Sequence, residues 1–346
     1  MSPRVAVVVG SRAAVDRELL RRVLARAAER AGWVLVATDA PDTASDAAPD
    51  AVVEIAGSGD PVGQVAGRPL LRVELDASAP ELDVAQVRGH GLDTLWFPVS
   101  DWLRGLARPA DRIRYGTDRD QWLDVRRPAG TPAAIAVLVH GGFYRSLWDA
   151  TLMNGIAADL ADQGWLAVNL EYGRPDRVGW EATVADVRAG FEAARQLDPT
   201  LPVALFGHSA GGQLVLQLVE SLPEPDRSDP AVLAVSMAGV VDLPVAHSRF
   251  MGEDAVRLAL GGAPDEVPER YAAASPAGYR ARRASWLLVQ GTDDSLDLQD
   301  MNLRLSRADH LGRPELIVAE GDHFAVIDPA SRIWRETERR ASALLR

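Results

Sequence analysis

Residues 202–219 read Pro202-Val-Ala-Leu-Phe-Gly-His-Ser-Ala-Gly-Gly-Gln-Leu-Val-Leu-Gln-Leu-Val219, and this stretch decides the fold. Val203 to Phe206 is a short apolar run of the kind that forms a strand buried on both faces. From Ala210 the spacing changes, and Leu214, Val215 and Leu218 fall on one side of a helix. Between them Gly207-His-Ser-Ala-Gly211 fits the G-x-S-x-G pattern in the strand–turn–helix context its mechanism requires. A sharp turn there lifts Ser209 clear of the sheet, and Gly207 and Gly211 remove side chains that would block it. The helix N-terminus then directs N–H groups at a reacting oxygen.

Upstream, Ala133 to Val139 reads as a buried strand that ends in His140-Gly-Gly-Phe143. Acyl transfer needs donors for a developing oxyanion, and adjacent glycines let backbone N–H groups approach closely. The expected donors are the N–H groups of Gly142 and Phe143, with that of Ala210 after the nucleophile. His140, Gly141, Tyr144, Trp148 and His208 are taken as substrate-binding candidates around them. Downstream, Trp286 to Gln290 is a strand followed by Gly291-Thr-Asp-Asp294. Glu315 to Val318 is the last strand, followed by Gly321-Asp-His-Phe324. A serine needs a base, and the base needs a carboxylate to orient it, in the chain order Ser, Asp, His. Of six histidines, His140 and His208 belong to motifs, His247 and His310 read as solvent-facing, and His90 lies far upstream. His323 is therefore expected to be the base. Asp294 is the expected acid, with Asp293, Asp297 and then Asp242 as alternatives.

Further strands are expected at Trp122 to Val125 and Leu166 to Leu170, and helices at Met153 to Asp162, Ala182 to Leu197 and Ile333 to Leu345. Such alternation predicts a doubly wound, mostly parallel sheet over residues 109–346, the catalytic domain. Residues 243–283 lie between two late strands and are expected to form a cap. Phe250, Met251, Leu258 and Tyr271 would close over substrate, and Arg280, Arg282 and Arg283 read as a solvated charge run. Residues 111–346 resemble the α/β-hydrolase fold. Within it, His140-Gly-Gly-Phe-Tyr144, Gly207-His-Ser-Ala-Gly-Gly212, Gly291-Thr-Asp-Asp294 and Gly321-Asp-His323-Phe are similar to the esterases that include the kynurenine formamidase-like enzymes. The resemblance implies a Ser209–Asp294–His323 triad that hydrolyses a carboxylic ester or an activated amide. Phe143 stands where the lipase-like branch has a third glycine. An acyltransferase or cyclase would use the same acyl-enzyme, and a non-enzymatic scaffold would have lost the reactivity of Ser209.

Composition narrows the alternatives. The 346 residues include no cysteine and no lysine, so all 37 basic residues are arginine. This excludes thiol nucleophiles, disulfides, Schiff-base chemistry and the P-loop lysine. The expected chemistry calls for no metal and no organic cofactor. A net charge of −12 argues against wholesale binding of nucleic acid or an anionic membrane. With no apolar stretch near 20 residues and no signal-peptide core, a soluble cytoplasmic protein is expected.

Residues 1–108 read as a separate small α/β domain. Strands are expected at 5–9, 33–37, 51–56 and 70–75 and a helix at 15–31, with residues 76–110 rich in turns. Gly10-Ser11-Arg12 is a place where a phosphate could sit, but there is no dinucleotide fingerprint. A packing or homo-oligomerisation module is the expected role, with Trp96, Phe97 and Trp102 facing the catalytic domain.

Overall fold

The computed structural model describes residues 2–37, 49–57, 60–62, 67–76, 78–80, 82, 85–89, 91–223, 230–279 and 285–346. His90 and the Arg280, Arg282 and Arg283 run lie outside the described residues. The chain divides into two compact units, Met1–Arg108 and Pro109–Arg346. Among the described residues no helix is long and apolar enough to cross a membrane.

The first unit runs β1 (Arg4–Val9), α1 (Arg17–Ala31), β2 (Val34–Ala37), β3 (Ala51–Ala56), β4 (Leu70–Glu74), β5 (Ala85–Arg88) and α2 (Leu92–Ala107). Its five strands are all parallel in the order β2-β1-β3-β4-β5. β5 and α2 fall where the sequence suggested turns. Pro98 sits inside α2, yet that helix buries Leu95, Phe97, Val99 and Leu103, and this apolar face outweighs the missing N–H. Trp96 carries the guanidinium groups of Arg26 and Arg30 on its ring, at 4.7 and 4.6 Å from the centroid. The phosphate expectation at Gly10-Ser11-Arg12 is corrected. Asp60 already accepts from the N–H groups of Gly57 and Arg12 and from Ser11 Oγ, at 2.9, 3.2 and 3.3 Å. A second anion would meet that carboxylate.

The second unit opens with β6 (Asp111–Arg114), β7 (Trp122–Arg126), β8 (Ile135–Val139), α3 (Asn154–Asp162), β9 (Leu166–Glu171), α4 (Pro175–Val178) and α5 (Trp180–Arg195). It continues with β10 (Val203–His208), α6 (Ala210–Ser221), β11 (Val232–Met237), α7 (Leu243–Ser248), α8 (Ala255–Leu260) and α9 (Pro268–Ala274). It closes with β12 (Ser285–Gly291), α10 (Leu296–Ser306), β13 (Glu315–Ala319) and α11 (Arg332–Leu344). The sheet order is β13-β12-β11-β10-β8-β9-β7-β6, parallel except where β7 meets β6 and β9. β6 escapes a reading of apolar pattern because all four of its residues are exposed. Side chains alternate across β10. Phe206 meets Trp165 and Trp334, at 5.8 and 5.7 Å between ring centroids, while Leu205 joins the core cluster that holds Leu214, Val215 and Val219 of α6.

Parallel register brings the ends of β8, β10, β11, β12 and β13 to one edge, with Gly207 level with Val139 and His208 level with Met237. The loops that follow these strands carry every predicted catalytic residue, as expected where ligands meet an open parallel sheet.

Candidate active site

Ser209 sits between β10 and α6 with φ 55° and ψ −117°. A left-handed φ on a residue with a side chain costs about 1–3 kcal/mol, so the surroundings must hold it there. The Ser209 N–H donates to Met237 O at 2.9 Å, and its carbonyl accepts from Val240 N–H at 3.2 Å. Both bonds tie the turn to the end of β11. A Cβ on Gly207 would stand 2.2 Å from Gly211 O, and one on Gly211 would stand 2.1 Å from Val139 O. The motif glycines are thus required by backbone packed against backbone.

His323 follows β13. Its Nδ1 lies 3.0 and 3.2 Å from the two Asp294 carboxylate oxygens. Burial pushes the Asp294 pKa up, but the hydrogen bond and charge of His323, with donors from Ser295 N–H and Gln290, outweigh it. The carboxyl is held below its ordinary range. Gln290 Nε2 donates to Asp294 at 3.1 Å, and Asn302 Nδ2 donates to Gln290 Oε1 at 3.1 Å. Neither amide was singled out from sequence. The alternative acids are engaged elsewhere. Asp297 pairs with Arg249 at 2.9 Å, Asp242 caps α7 and pairs with Arg304, and Asp293 accepts from Thr292 Oγ1. His247 is bonded to Asp254 at 2.6 Å rather than solvent-facing, while His310 is exposed.

The loop after β8 carries three consecutive positive φ values, 117° at Gly142, 49° at Phe143 and 62° at Tyr144. Among the described residues, the N–H groups of Gly142, Phe143 and Ala210 make no bond to a protein acceptor. Several contacts hold the loop. Tyr144 is buried and donates its hydroxyl to Gln213 Oε1 at 3.1 Å, and Gln213 in turn donates to Ala274 O at 2.8 Å. Phe143 packs against Gly252, and Arg145 donates to Gly252 O at 2.7 Å and to Glu253 at 3.3 Å. Trp148 abuts Gly142 and stacks on Phe324 at 6.4 Å, and Phe324 in turn lies beside His323 at 5.6 Å between ring centroids.

Of the remaining candidates, His140 is fully buried. Its Nδ1 lies 2.7 Å from Gly141 O and its Nε2 3.2 Å from Glu171, so the ring serves the loop from beneath. Glu171 also accepts from the N–H groups of Ala150 and Tyr172 and pairs with Arg174, which reaches Asp120. Burial alone would raise the Glu171 pKa. Arg174 and His140 overcome it and bring it down to about 2. Gly141 lies against Ser209, and His208 is buried beside His323. In the expected cap, Phe250 and Leu258 are exposed, whereas Tyr271 is buried with its hydroxyl on Gly262 O.

The family profile described as the alpha/beta hydrolase family matches residues 136–344. The chain belongs to the alpha/beta hydrolase family. It is 28% identical over 206 residues to Esterase LipC of Mycobacterium tuberculosis, an alignment covering 53% of this chain and 50% of that protein. The chain thus spans about half the length of the curated relative it matches. Esterase B of Lactobacillus rhamnosis superimposes with a TM-score of 0.56 and 17% identity, over 74% of this chain and 95% of that one. A propionate-bound thermophilic esterase of the Planctomycetes species Thermogutta terrifontis gives 0.51 and 23%, over 68% and 93%. At these identities the superpositions speak to the fold alone.

Proposed function

We propose that this hydrolase cleaves a small carboxylic ester through an acyl-enzyme on Ser209. Ser209 Oγ attacks the carbonyl carbon while His323 Nε2 takes its proton. Asp294 holds the ring and offsets the charge it gains. The N–H groups of Gly142, Phe143 and Ala210 hold the tetrahedral oxyanion. His323 passes the proton to the departing alcohol oxygen, and water then repeats the sequence on the acyl group. The single observation that carries this reading is the convergence, at one sheet edge, of a strained serine, an Asp-bonded histidine and three unengaged N–H groups. The esterase relative supports the ester as substrate class.

The test uses p-nitrophenyl esters and N-formyl-kynurenine with wild type and Ser209→Ala, plus a fluorophosphonate label that counts reactive serines. Ester turnover and labelling, both lost in Ser209→Ala, are expected. Turnover of N-formyl-kynurenine alone would move the reading to an amidase with the same three residues. No labelling of the wild type would refute it.

A further inference from the structure

We infer that His208, the residue before the nucleophile, is a positioning residue that sets His323 relative to Ser209 and to the oxyanion loop. The inference rests on the serine-hydrolase reading above. His208 ends β10, and its ring is 1% exposed. Its Nε2 lies 2.9 Å from the backbone carbonyl of His323. A carbonyl only accepts, so Nε2 carries the proton and donates. On the other side the ring reaches the oxyanion loop: a Cβ built on Gly141 would stand 3.2 Å from His208 Nδ1 and 2.8 Å from Ser209 Cβ. The imidazole is therefore wedged between the loop that supplies oxyanion donors and the loop that supplies the base. Its own backbone continues directly into the nucleophile. Ring centroids of His208 and His323 are 4.7 Å apart, and Phe324 closes the far side at 6.0 Å.

A direct consequence concerns the serine–base distance. His323 is reached through a loop that ends a different strand, more than 100 residues along the chain. Asp294 fixes the rotation of the His323 ring, but it does not fix how far the backbone of residue 323 stands from the elbow. The His208 bond does. A neutral donor suits this place, because a second cation beside His323 would oppose the charge His323 must gain on accepting the serine proton. Burial and the neighbouring His323 push the His208 pKa down to about 3, so the ring stays neutral throughout the working range. Its Nδ1 lone pair makes no protein hydrogen bond among the described residues, so the single donor bond is the polar work this side chain does.

The experiment compares His208→Ala, His208→Asn and His208→Gln with wild type. It measures kcat and KM on p-nitrophenyl acetate, the fluorophosphonate labelling rate, melting temperature, and the downfield proton resonance of the His323–Asp294 bond. Gln carries an amide N–H to the reach of Nε2, whereas the Asn amide stops near Nδ1. A misplacement of the base of about 1 Å costs on the order of 100-fold, so His208→Ala and His208→Asn are expected to lose about 30- to 100-fold in kcat with KM nearly unchanged. Labelling should slow in parallel and the downfield resonance should broaden. His208→Gln should hold kcat within about fivefold of wild type and keep the resonance sharp. A His208→Ala protein within about threefold of wild type, or Asn and Gln variants equal in kcat, overturns the inference. The Asn–Gln comparison keeps it falsifiable should the alanine variant fail to fold. A wild type that neither labels nor turns over ester overturns the hydrolase reading itself, which is a separate result.

Discussion

Removing the Tyr144 hydroxyl should uncouple loop geometry from substrate binding. Phe143 and Tyr144 both hold left-handed φ, at 49° and 62°. For residues with a Cβ this costs roughly 1–2 kcal/mol each, so the pair stores about 2–4 kcal/mol. The Tyr144–Gln213 bond opposes that strain from a buried position. Deleting one partner orphans the Gln213 oxygen and costs about 1–3 kcal/mol. The two magnitudes are comparable, so Tyr144→Phe should let the loop relax for a substantial part of the time. A shift of about 1–2 kcal/mol against the reactive geometry corresponds to about a 5- to 30-fold fall in kcat. The ceiling is the 10²- to 10³-fold, as an order of magnitude, expected for losing one oxyanion donor outright. KM on p-nitrophenyl acetate should stay within about threefold, because the donors act on the oxyanion more than on the ground-state carbonyl. Adding Gln213→Met removes the orphaned oxygen but also the amide bond to Ala274 O, and it should not restore kcat. A Tyr144→Phe enzyme with wild-type kcat would refute the argument. So would full recovery of kcat in the double variant, which would show that the orphaned amide, not the untethered loop, caused the loss.

Two more outcomes test the site from other sides. Asp294→Asn should lower kcat by about 10³- to 10⁴-fold, whereas Asp297→Asn, which breaks an exposed pair with Arg249, should change it by less than about threefold; equal losses in steady-state assays would reassign the acid. Glu171→Gln tests the buried charge network through pH. The folded-state pKa of Glu171 is depressed from 4.5 to about 2, so its ionisation adds stability above about pH 4.5 that is lost as pH falls toward 2. At pH 7 this amounts to about 3 kcal/mol, and in urea unfolding the deficit of Glu171→Gln should shrink by about half at pH 3. A deficit unchanged between pH 7 and pH 3 would show that packing, not charge, explains it.

The elbow was legible because its pattern is local: serine, glycines and strand-to-helix switch lie within about ten residues, and the turn tolerates few substitutes. His323 and Asp294 were legible through their positions after late strands, although only the three-dimensional structure separates Asp294 from Asp293 and Asp297. The supports were not legible. Asp120, His140 and the Glu171–Arg174 pair meet from three separate segments, and nothing in a local pattern tells a buried carboxylate from a solvated one. Gln213 reads as an ordinary polar helix position, yet it joins Tyr144 to the end of α9. His208 was singled out from sequence as a contact to substrate. Its ring is buried instead, because the strand that delivers Ser209 outward turns the preceding side chain toward the His323 loop.

Backbone strain gives the site a boundary that no single side chain defines. Among the described residues, the non-glycine positions with positive φ are Phe143, Tyr144, Ser209, Ala238, Phe250, Glu253, Asp254 and Arg313. All but Arg313 belong to one connected neighbourhood. Phe143 and Tyr144 lie in the loop after β8. Ala238 continues from Met237, whose carbonyl receives the Ser209 N–H. The segment 250–254 is clamped to that loop by Arg145 and by Phe143 against Gly252. Each such residue costs about 1–3 kcal/mol, so the neighbourhood stores an amount comparable to the net stability of an ordinary domain. A fold carries that load only where surrounding packing over-determines the backbone, here the buried parallel strands β8, β10 and β11. In the proposed mechanism, the same rigidity that holds Ser209 and the neighbouring N–H groups in unfavourable dihedrals would remove the reorganisation cost at the moment of reaction. That ties the stability of the sheet to the chemistry at its edge.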